Sequence, residues 1–520
     1  MTLGTLAPVA SPDLPRLVHE NGRHALLVDG APFLVLGAQC GNSSAWPATL
    51  PKVWPAVEYL HANTLEAPIY WEQFEPEPGR FDTTNVDVLL EEARAHRVRL
   101  ILLWFATWKN GSSHYLPLWM KREPEKYPRM LRADGTRVDS PSPHAPATLA
   151  ADTRAFRALM RHLREADPQR TVIMVQVQNE PGTWGGVRDF SPAAEALFQA
   201  PVPSALLDAL DKRGEVGGNW AKVFGKDADE FFHAWSVARF IGEVAAAGKA
   251  EYPLPLYVNA ALRDPLTPPP AAHYEAGGPT DNVLPIWKAA APAVDILAPD
   301  IYQPDGARHR KVLELYARPD NPLFVPEIGG LPAYAPYFFA ALDRGAIGWA
   351  PFGVDYVGFR DAPLGAARHD EESLAHFALN YRVVAPALRE IARANFEGRL
   401  RAVTEEKGEP SQALELGRWK ATIAFGVPSR GAEPKGNAEP IGRALVVRLA
   451  DDEFLVSGLF CRVDFHASDA RAQREYVRVE EGGYENGVFR AARIWNGDQT
   501  DWGLNFSSAP QLLRVSLGTY

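Results

Sequence analysis

The chain has 520 residues, of which 46% are hydrophobic and 23% are charged, and its formal net charge is −10. This composition is typical of a globular protein long enough for one large and one smaller domain. Basic and acidic residues are interspersed without a dense run of Lys and Arg, which argues against a nucleic-acid-binding protein. No stretch of about 18 uninterrupted apolar residues occurs, so we expect no membrane-spanning segment.

The N-terminal segment MTLGTLAPVASPDLPRL has neither a basic leader nor a continuous apolar region. The chain as written is therefore expected in the cytoplasm, with the periplasm as the alternative if a leader has been removed. Cys40 and Cys461 are the only cysteines. They allow either one long-range disulfide or two free thiols.

Short β-rich runs alternate with segments of helical periodicity through most of the chain. The runs predict eight strands, at residues 32–39, 61–71, 98–108, 171–180, 253–260, 294–302, 322–329 and 346–353. This alternation predicts a parallel sheet closed on itself, the (β/α)8 or TIM barrel of the α/β class. A doubly wound open sheet is the alternative, but the segment LVLGAQCGNSS lacks the GxGxxG spacing of a nucleotide-binding loop.

The pattern changes after about residue 395. Short alternating stretches separated by turn residues predict a smaller antiparallel β-sandwich there. The predicted organisation is an N-terminal extension at 1–24, the barrel at 25–394 and the sandwich domain at 395–520. Residues 183–250, between the fourth and fifth strands, are rich in Gly, Pro and Trp and predict an elaborated loop region that shapes a cleft.

Two glutamates close apolar strands. Glu180 ends TVIMVQVQNEPG and Glu327 ends PLFVPEIGG, and each is followed by Pro or Gly. In a parallel barrel the carboxyl ends of the strands meet at one rim, where catalytic groups converge. Two carboxylates at that rim are the smallest set of catalytic groups with which most glycosidases cleave a glycosidic bond. A structural ion pair is the alternative for each glutamate taken alone.

Other catalytic patterns are missing from the sequence. It has no GxSxG, no HExxH, no Walker loop and no paired CxxC, and its thirteen His show no ligand spacing. We therefore expect no metal site. The 14 Trp, 16 Tyr and 24 Phe are explained either as barrel filler or as faces on which sugar rings stack.

Five segments together resemble glycoside hydrolase family 35, the β-galactosidases, and most closely its bacterial branch with a short C-terminal β domain. They are YWEQFEPEPGRFD (70–82), LLWFATWKNG (102–111), VQVQNEPG (175–182), DNVLPIWKAAAP (281–292) and LAPDIY (297–302). The resemblance runs over most of residues 30–360 and implies a barrel enzyme that retains anomeric configuration and uses no cofactor.

By motif position, Glu180 matches the family's acid/base and Glu327 its nucleophile. Asn179 matches the asparagine beside the acid, which binds a sugar 2-hydroxyl. Tyr302, at the end of the sixth strand, matches a position whose hydroxyl contacts the nucleophile. Trp349, at the end of the eighth strand, is predicted to be a sugar platform.

Trp71, Glu72 and Trp108 are further predicted substrate contacts, with packing at the rim as the alternative, and Trp184 is a predicted contact as well. The chain departs from the eukaryotic members at two places. Residues 107–110, Thr-Trp-Lys-Asn, replace an acid-containing motif, and Gly329 replaces a tyrosine two positions after the nucleophile. Both changes fall in the inner subsite, so they bear on sugar preference more than on hydrolysis.

The expected function is a retaining, exo-acting β-galactosidase that hydrolyses terminal β-galactosyl residues of oligosaccharides, including plant oligosaccharides, by double displacement. The pKa of Glu180 should be raised by burial and by the charge of Glu327, so that Glu180 carries a proton near neutral pH. The alternatives are a β-glycosidase of another sugar preference and a catalytically inactive carbohydrate-binding protein. Assembly into a homo-oligomer is left open.

Overall fold

The computed structural model describes residues 13–360, 362, 364–365, 368, 370–426 and 434–520. Residues 1–12 of the predicted N-terminal extension lie outside this part of the chain. A small antiparallel sheet that the sequence did not suggest begins the described fold, with strands β1 (Arg16–Glu20), β2 (Arg23–Val28) and β3 (Ala31–Phe33). Its last strand leads directly into the barrel and so lies at the N-terminal end of the barrel strands.

Eight parallel strands close into a barrel, and each of the eight predicted strands is confirmed. In chain order the next strands are β4 (Val35–Gln39), β5 (Thr64–Tyr70), β6 (Arg99–Lys109), β7 (Arg129–Leu131), β8 (Arg137–Pro141), β9 (Val172–Asn179), β10 (Leu256–Ala261), β11 (Ile296–Ile301), β12 (Phe324–Ile328) and β13 (Gly348–Pro351). Strands β7 and β8 form a separate hairpin, and the other eight are neighbours in the barrel in the order of the chain. Their residues are almost all buried, as in a parallel sheet covered on both faces.

Helices surround the barrel. They are α1 (Trp54–Leu60), α2 (Trp71–Phe74), α3 (Thr84–His96), α4 (Leu118–Lys121), α5 (Pro146–Ala166), α6 (Pro192–Gln199), α7 (Ser204–Ala209), α8 (Trp220–Phe224), α9 (Ala228–Glu251), α10 (Leu284–Ala290), α11 (Gly306–Tyr316), α12 (Tyr337–Asp343), α13 (Glu371–Val384) and α14 (Leu388–Phe396). The region after β9 therefore contains the short helices α6 to α8 before the long α9. None of the described helices has the length and apolar character needed to cross a bilayer.

Two antiparallel sheets follow α14. Their strands are β14 (Leu400–Thr404), β15 (Ser411–Leu416), β16 (Trp419–Phe425), β17 (Arg443–Arg448), β18 (Glu453–Leu459), β19 (Cys461–Ala467), β20 (Arg474–Glu485), β21 (Val488–Ile494), β22 (Leu504–Phe506) and β23 (Leu512–Thr519). The six-stranded sheet has the order β14-β17-β18-β23-β20-β21, and the four-stranded sheet has the order β15-β16-β19-β22. The predicted fold class, a TIM barrel followed by an antiparallel β domain, is confirmed.

The six-stranded sheet lies between the barrel and the other sheet. Along β17, Leu445 and Val447 belong to the core of the barrel, whereas Ala444 and Val446 belong to a second core shared with the four-stranded sheet. This alternation of faces is the period of two that a strand imposes on its side chains. The two cysteines, Cys40 and Cys461, are both buried and unpaired, so the alternative of two free thiols is the correct one.

Candidate active site

Glu180 lies at a sharp turn at the C-terminal end of β9. Its backbone φ is +43° and that of Gln178 is +68°, values in the left-handed region that non-glycine residues rarely adopt. The Glu180 amide donates to Asn259 Oδ1 at 2.8 Å, and the Glu180 carbonyl accepts from the Gly111 amide at 2.9 Å. The backbone that carries the Glu180 side chain is therefore fixed by the ends of both neighbouring strands, β6 and β10.

Glu327 is held by hydrogen bonds to both of its carboxylate oxygens. Gln39, at the end of β4, donates from Nε2 to Oε2 at 3.0 Å, and the Tyr302 hydroxyl donates to Oε1. The contact with Tyr302 is the one that the family resemblance implies. Because the two donors come from opposite sides of β12, the carboxylate has a fixed orientation within the barrel mouth.

A third carboxylate, Asp300, lies between the two glutamates. It pairs in register with Glu327 across β11 and β12. One carboxylate oxygen from each of Glu180, Asp300 and Glu327 lies within 4.8 Å of the other two, and all three residues are buried. Sequence reasoning missed Asp300, although an acid within the buried strand ILAPDI is itself a signal, because acids are almost never fully buried without a partner.

Burial and mutual repulsion shift the pKa values of these acids. Burial, followed by the charge of Glu327, raises the pKa of Glu180 to about 7, against an opposing effect of Lys109. The pKa of Asp300 is raised well above its ordinary value, first by burial and then by the charges of Glu327 and Glu180. Glu180 is thus protonated below neutral pH, as the sequence analysis expected for the acid of the pair.

The carboxylates open into a cavity of about 260 Å³ at the C-terminal ends of the barrel strands. Besides the three acids, its walls contain Asn42, Lys109, Asn110, Trp184, Ala261, Leu262, Glu275, Tyr302, Gln303, Phe352 and Leu364. Glu275, which the sequence analysis also missed, is buried, and burial and the charge of Glu180 raise its pKa well above the ordinary value. The site thus combines several acids with one basic side chain, that of Lys109.

Besides Tyr302, the predicted contact Trp184 lies in the cavity wall, whereas Asn179 is fully buried and is not among the residues of that wall. Trp184 lines the cavity and is 51% exposed, so its side chain is accessible to a ligand. Asn179 is buried beside Glu180, and within the described part of the chain its amide nitrogen and oxygen have no hydrogen-bond partner. A buried amide without partners is costly, so these atoms are suited to bind a ligand hydroxyl.

Trp349 and Trp108 are fully buried and face away from the cavity. The Trp349 ring packs against Phe338 of α12 and Phe377 of α13, in the layer between the barrel and its helices. Trp108 donates from Nε1 to Ser140 Oγ at 3.0 Å and packs edge-on against Phe240. The predicted sugar platform at Trp349 and the predicted contact at Trp108 are therefore wrong, and both rings are packing residues.

Trp71 and Glu72 are also structural. The Trp71 indole is buried and donates to Glu75 Oε2 at 2.8 Å, while Glu75 also accepts from Arg154 at 2.6 Å. Glu72 is exposed and forms an ion pair with Lys121 at 3.0 Å. Neither residue lies in the cavity wall: Trp71 is a packing residue, so its predicted substrate contact is wrong, and Glu72 lies on the surface outside the cavity.

The three carboxylates are close enough to share a metal ion. However, three of their oxygens already accept hydrogen bonds, from Gln39, Tyr302 and Asn259. These hydrogen bonds orient the carboxyl groups, and the raised pKa values of Glu180 and Asp300 favour a shared proton between them.

Solved structures resemble this chain at low sequence identity. The β-galactosidase from Bacillus circulans sp. alkalophilus has 14% identity and a TM-score of 0.51, over 69% of this chain and 57% of that one. The β-galactosidase from Rahnella sp. R3 has 17% identity and a TM-score of 0.49, over 70% and 58% of the two chains. The exo-β-1,4-mannosidase Op5Man5 from Opitutaceae bacterium strain TAV5 has 16% identity and a TM-score of 0.42, over 71% and 62%.

The TM-score of 0.51 shows that the barrel fold is shared with the first of these three structures. This chain spans less than two thirds of the length of each of these three chains. No curated protein matches the sequence significantly. Residues 377–507 match a family described as a domain of unknown function, DUF5597, which begins within α13 and ends after β22.

Proposed function

We propose that this protein is a retaining, exo-acting β-galactosidase that removes terminal β-galactosyl residues from oligosaccharides by double displacement. The separation of Glu180 and Glu327 carries the proposal. Retaining enzymes place their two carboxyl groups about 5–5.5 Å apart, whereas inverting enzymes need about 6.5–9.5 Å to admit a water molecule. One oxygen of Glu180 and one of Glu327 lie within 4.8 Å of each other, which is closer to the spacing of retaining enzymes than to that of inverting enzymes.

The surroundings of the two glutamates support different roles. Glu180 has a pKa of about 7, so near neutral pH it has a proton to give to the departing glycosidic oxygen. Glu327 is oriented by Gln39 and Tyr302 and takes the role of nucleophile. This assignment agrees with the motif positions of the two residues.

The proposed reaction has two steps. In the first, Glu327 forms a bond to the anomeric carbon while the bond to the glycosidic oxygen breaks and Glu180 protonates that oxygen. The charge of Glu327 is lost in the ester, so the pKa of Glu180 falls and its carboxylate is formed readily. In the second step, Glu180 takes a proton from water as the water oxygen displaces Glu327 from the anomeric carbon, which restores both groups.

The size of the cavity supports exo-action. Its volume of about 260 Å³ is smaller than that of most ligand pockets, which hold a drug-sized molecule in about 300–1,000 Å³. A cavity of this size suits a single sugar ring beside the two glutamates. Trp184, exposed at its wall, is placed to stack on the next unit of an oligosaccharide.

The preference for galactose rests on the motifs rather than on the geometry. The likeness to a solved β-galactosidase, at 14% identity, supports the barrel fold and leaves the sugar open. A β-glycosidase of another sugar preference is the second candidate. It is favoured by Lys109 and Asn110, which line the cavity where eukaryotic family members carry an acid-containing motif.

The test is a panel of nitrophenyl β-glycosides, with galactoside, glucoside, mannoside and arabinoside compared by kcat/KM. We expect the galactoside to be the best substrate. The product formed first should be the β-anomer by proton NMR, before mutarotation. Release of the α-anomer would exclude a retaining mechanism, and binding without turnover across the panel would favour an inactive carbohydrate-binding protein.

A further inference from the structure

Asp300 is a buried acid that the double displacement does not use. Asp300 is 2% exposed. One of its carboxylate oxygens lies within 4.8 Å of an oxygen of Glu180 and of an oxygen of Glu327. Among the described residues, no Lys or Arg donates a hydrogen bond to it. Lys109, the basic residue of the cavity, instead donates to the side chain of Asn110. Three negative charges at this distance without a paired cation would be strongly unfavourable.

The neighbouring Asn259 shows which oxygen of Asp300 can carry a proton. Asn259 Oδ1 accepts the backbone N–H of Glu180 at 2.8 Å, which fixes the orientation of the amide. Asn259 Nδ2 therefore donates to Asp300 Oδ2, at 2.6 Å. Because Oδ2 is already an acceptor, the proton has its place on Oδ1, which is buried and has no partner among the other described residues, while the Asp300 side chain is hydrogen-bonded to that of Glu180.

We propose that Asp300 is a third functional carboxyl group of this site, one that remains a neutral acid through the reaction and donates a hydrogen bond from Oδ1 to Glu180. The inference rests on the proposed function, because it describes how the acid/base residue of that reaction is controlled. Asp300 is a positioning residue in this role, since it acts through Glu180.

The charges around Asp300 agree with a neutral side chain. The titratable groups that face it are Glu180 from the end of β9, Glu327 from β12, Lys109 from β6, Tyr257 from β10, Tyr302 after β11 and Tyr316 from α11. Both carboxylates disfavour a charge on Asp300, and burial disfavours it further, so its pKa is raised well above the ordinary value. A buried carboxylic acid kept neutral at pH 7 can serve as a hydrogen-bond donor.

A neutral Asp300 would act mainly after the first step. When Glu180 has given its proton to the leaving group, it becomes a buried carboxylate that needs a donor. The Asp300 O–H supplies that hydrogen bond without transferring its proton, so no atom or charge is exchanged between them. In the second step Glu180 takes its proton from water. The Asp300 O–H then again donates to a protonated Glu180, as it did before the reaction.

The first test compares Asp300→Asn with Asp300→Ala in the full chain. Asn places a neutral N–H donor where we assign the acid O–H, while its carbonyl accepts from Asn259. We expect Asp300→Asn to keep kcat within about tenfold of the wild type, with the basic limb of the kcat/KM–pH profile unmoved. Asp300→Ala, which removes the donor, should lower kcat by about tenfold to a hundredfold and move that limb to higher pH.

A charged Asp300 would give the opposite result in Asp300→Asn. Loss of a negative charge beside Glu180 would lower the pKa of Glu180 and move the basic limb down by about one pH unit or more. That outcome would overturn the proposal. Asp451→Asn, at an exposed aspartate in the turn before β18, is the matched control and should leave both kcat and the profile unchanged.

The second test does not require turnover. In a Glu180→Gln background at pH 7, the infrared carbonyl band of protonated carboxylic acids should lose intensity when Asp300 is also replaced by Asn. No change in that band would mean that Asp300 is ionised, and the proposal would fail. If the wild type is inactive on the glycoside panel but the band is lost as expected, the proposed function fails while the protonation of Asp300 stands.

Discussion

Gln39 and Glu327 join the first and seventh strands of the barrel across its mouth. The amide of Gln39 donates to Glu327 Oε2 at 3.0 Å, and both side chains are buried. Tyr302 donates to the other carboxylate oxygen of Glu327. The hydrogen bond from Gln39 therefore fixes the rotation of the carboxylate group about its last side-chain bond. A nucleophile that must reach an anomeric carbon in line with a leaving group depends on such orientation.

Replacement of Gln39 by Leu should therefore slow the first step. A hydrogen bond to a charged group contributes about 1.5–3 kcal/mol, so we expect kcat for an aryl galactoside to fall by about tenfold to a hundredfold. Gln169→Leu, at an exposed position before β9, is the control and should leave kcat unchanged. Equal kcat values for Gln39→Leu and the control would show that Tyr302 alone orients Glu327.

Removal of the acid/base residue should leave a site that azide can enter. In Glu180→Ala the second step lacks its base, so we expect kcat for an activated aryl galactoside to fall by about 10²–10⁴-fold. Sodium azide should restore turnover and give a β-galactosyl azide, which NMR identifies. An α-galactosyl azide, or a Glu327→Gly variant with near-normal kcat, would contradict the assigned roles.

The eight barrel strands could be predicted from the sequence because each is a short β-rich apolar run between turn residues. The direction in which individual side chains point could not be predicted from the sequence. Strands buried on both faces read as continuous apolar runs, so alternation does not show which residues face inward. Trp108 illustrates this, because the register between β6 and β9 shifts after Trp104 and the indole packs against α9 instead of the cavity.

Asp300 and Glu275 show a second limit of the sequence. The chemistry of both acids depends on neighbours from other strands and loops. Asp300 lies close to Glu180 and Glu327, and Glu275 lies close to Gly111, just after β6. The Cβ of an alanine at position 111 would lie 2.2 Å from Glu275 Oε1. Contacts of this kind join residues far apart in the chain, and one sequence carries no pattern that pairs them.

The activity should fall above neutral pH. Glu180 has a pKa of about 7 and must carry a proton to act as the acid, so its protonated fraction decreases as the pH rises through that value. We expect the basic limb of kcat/KM for a substrate with a poor leaving group to lie near pH 7. A profile that stays flat to pH 9 would show that Glu180 is not the proton donor.

The same shift predicts that Glu180 destabilises the fold when ionised. Its pKa in the folded protein, about 7, is above the ordinary value of 4.5, so the folded state binds the proton more tightly than the unfolded state. The stabilising contribution of that proton is complete below about pH 4.5 and is lost as the pH rises through 7. At full ionisation the loss is on the order of 3 kcal/mol.

Glu180→Gln should therefore raise the free energy of unfolding more at pH 8 than at pH 5. Gln is neutral at both pH values, so the variant lacks the cost of a buried charge. The measurement is urea unfolding of the variant and the wild type at each pH. Glu439→Gln, at an exposed position, is the control and should show no such difference, and an equal effect of Glu180→Gln at both pH values would contradict the raised pKa.

Gly182 offers a test of how the turn after β9 positions Glu180. Its φ is +143°, and a Cβ there would lie 2.4 Å from the backbone oxygen of Ala276, which cannot move away as a side chain could. Gly182→Ala must therefore displace either the turn that carries Glu180 or the segment at Ala276. A displacement of about 1 Å at a reacting group can lower the rate by about a hundredfold.

Gly135 separates this steric effect from backbone strain alone. Its φ is +82°, and a Cβ added there would meet no atom within 4 Å, so Gly135→Ala tests only the left-handed conformation and should cost about 1 kcal/mol of stability without changing kcat. Gly182→Ala should lower both stability and kcat. If the two variants lose equal stability and both keep full kcat, the close approach of the loops at Gly182 and Ala276 does not fix the position of Glu180.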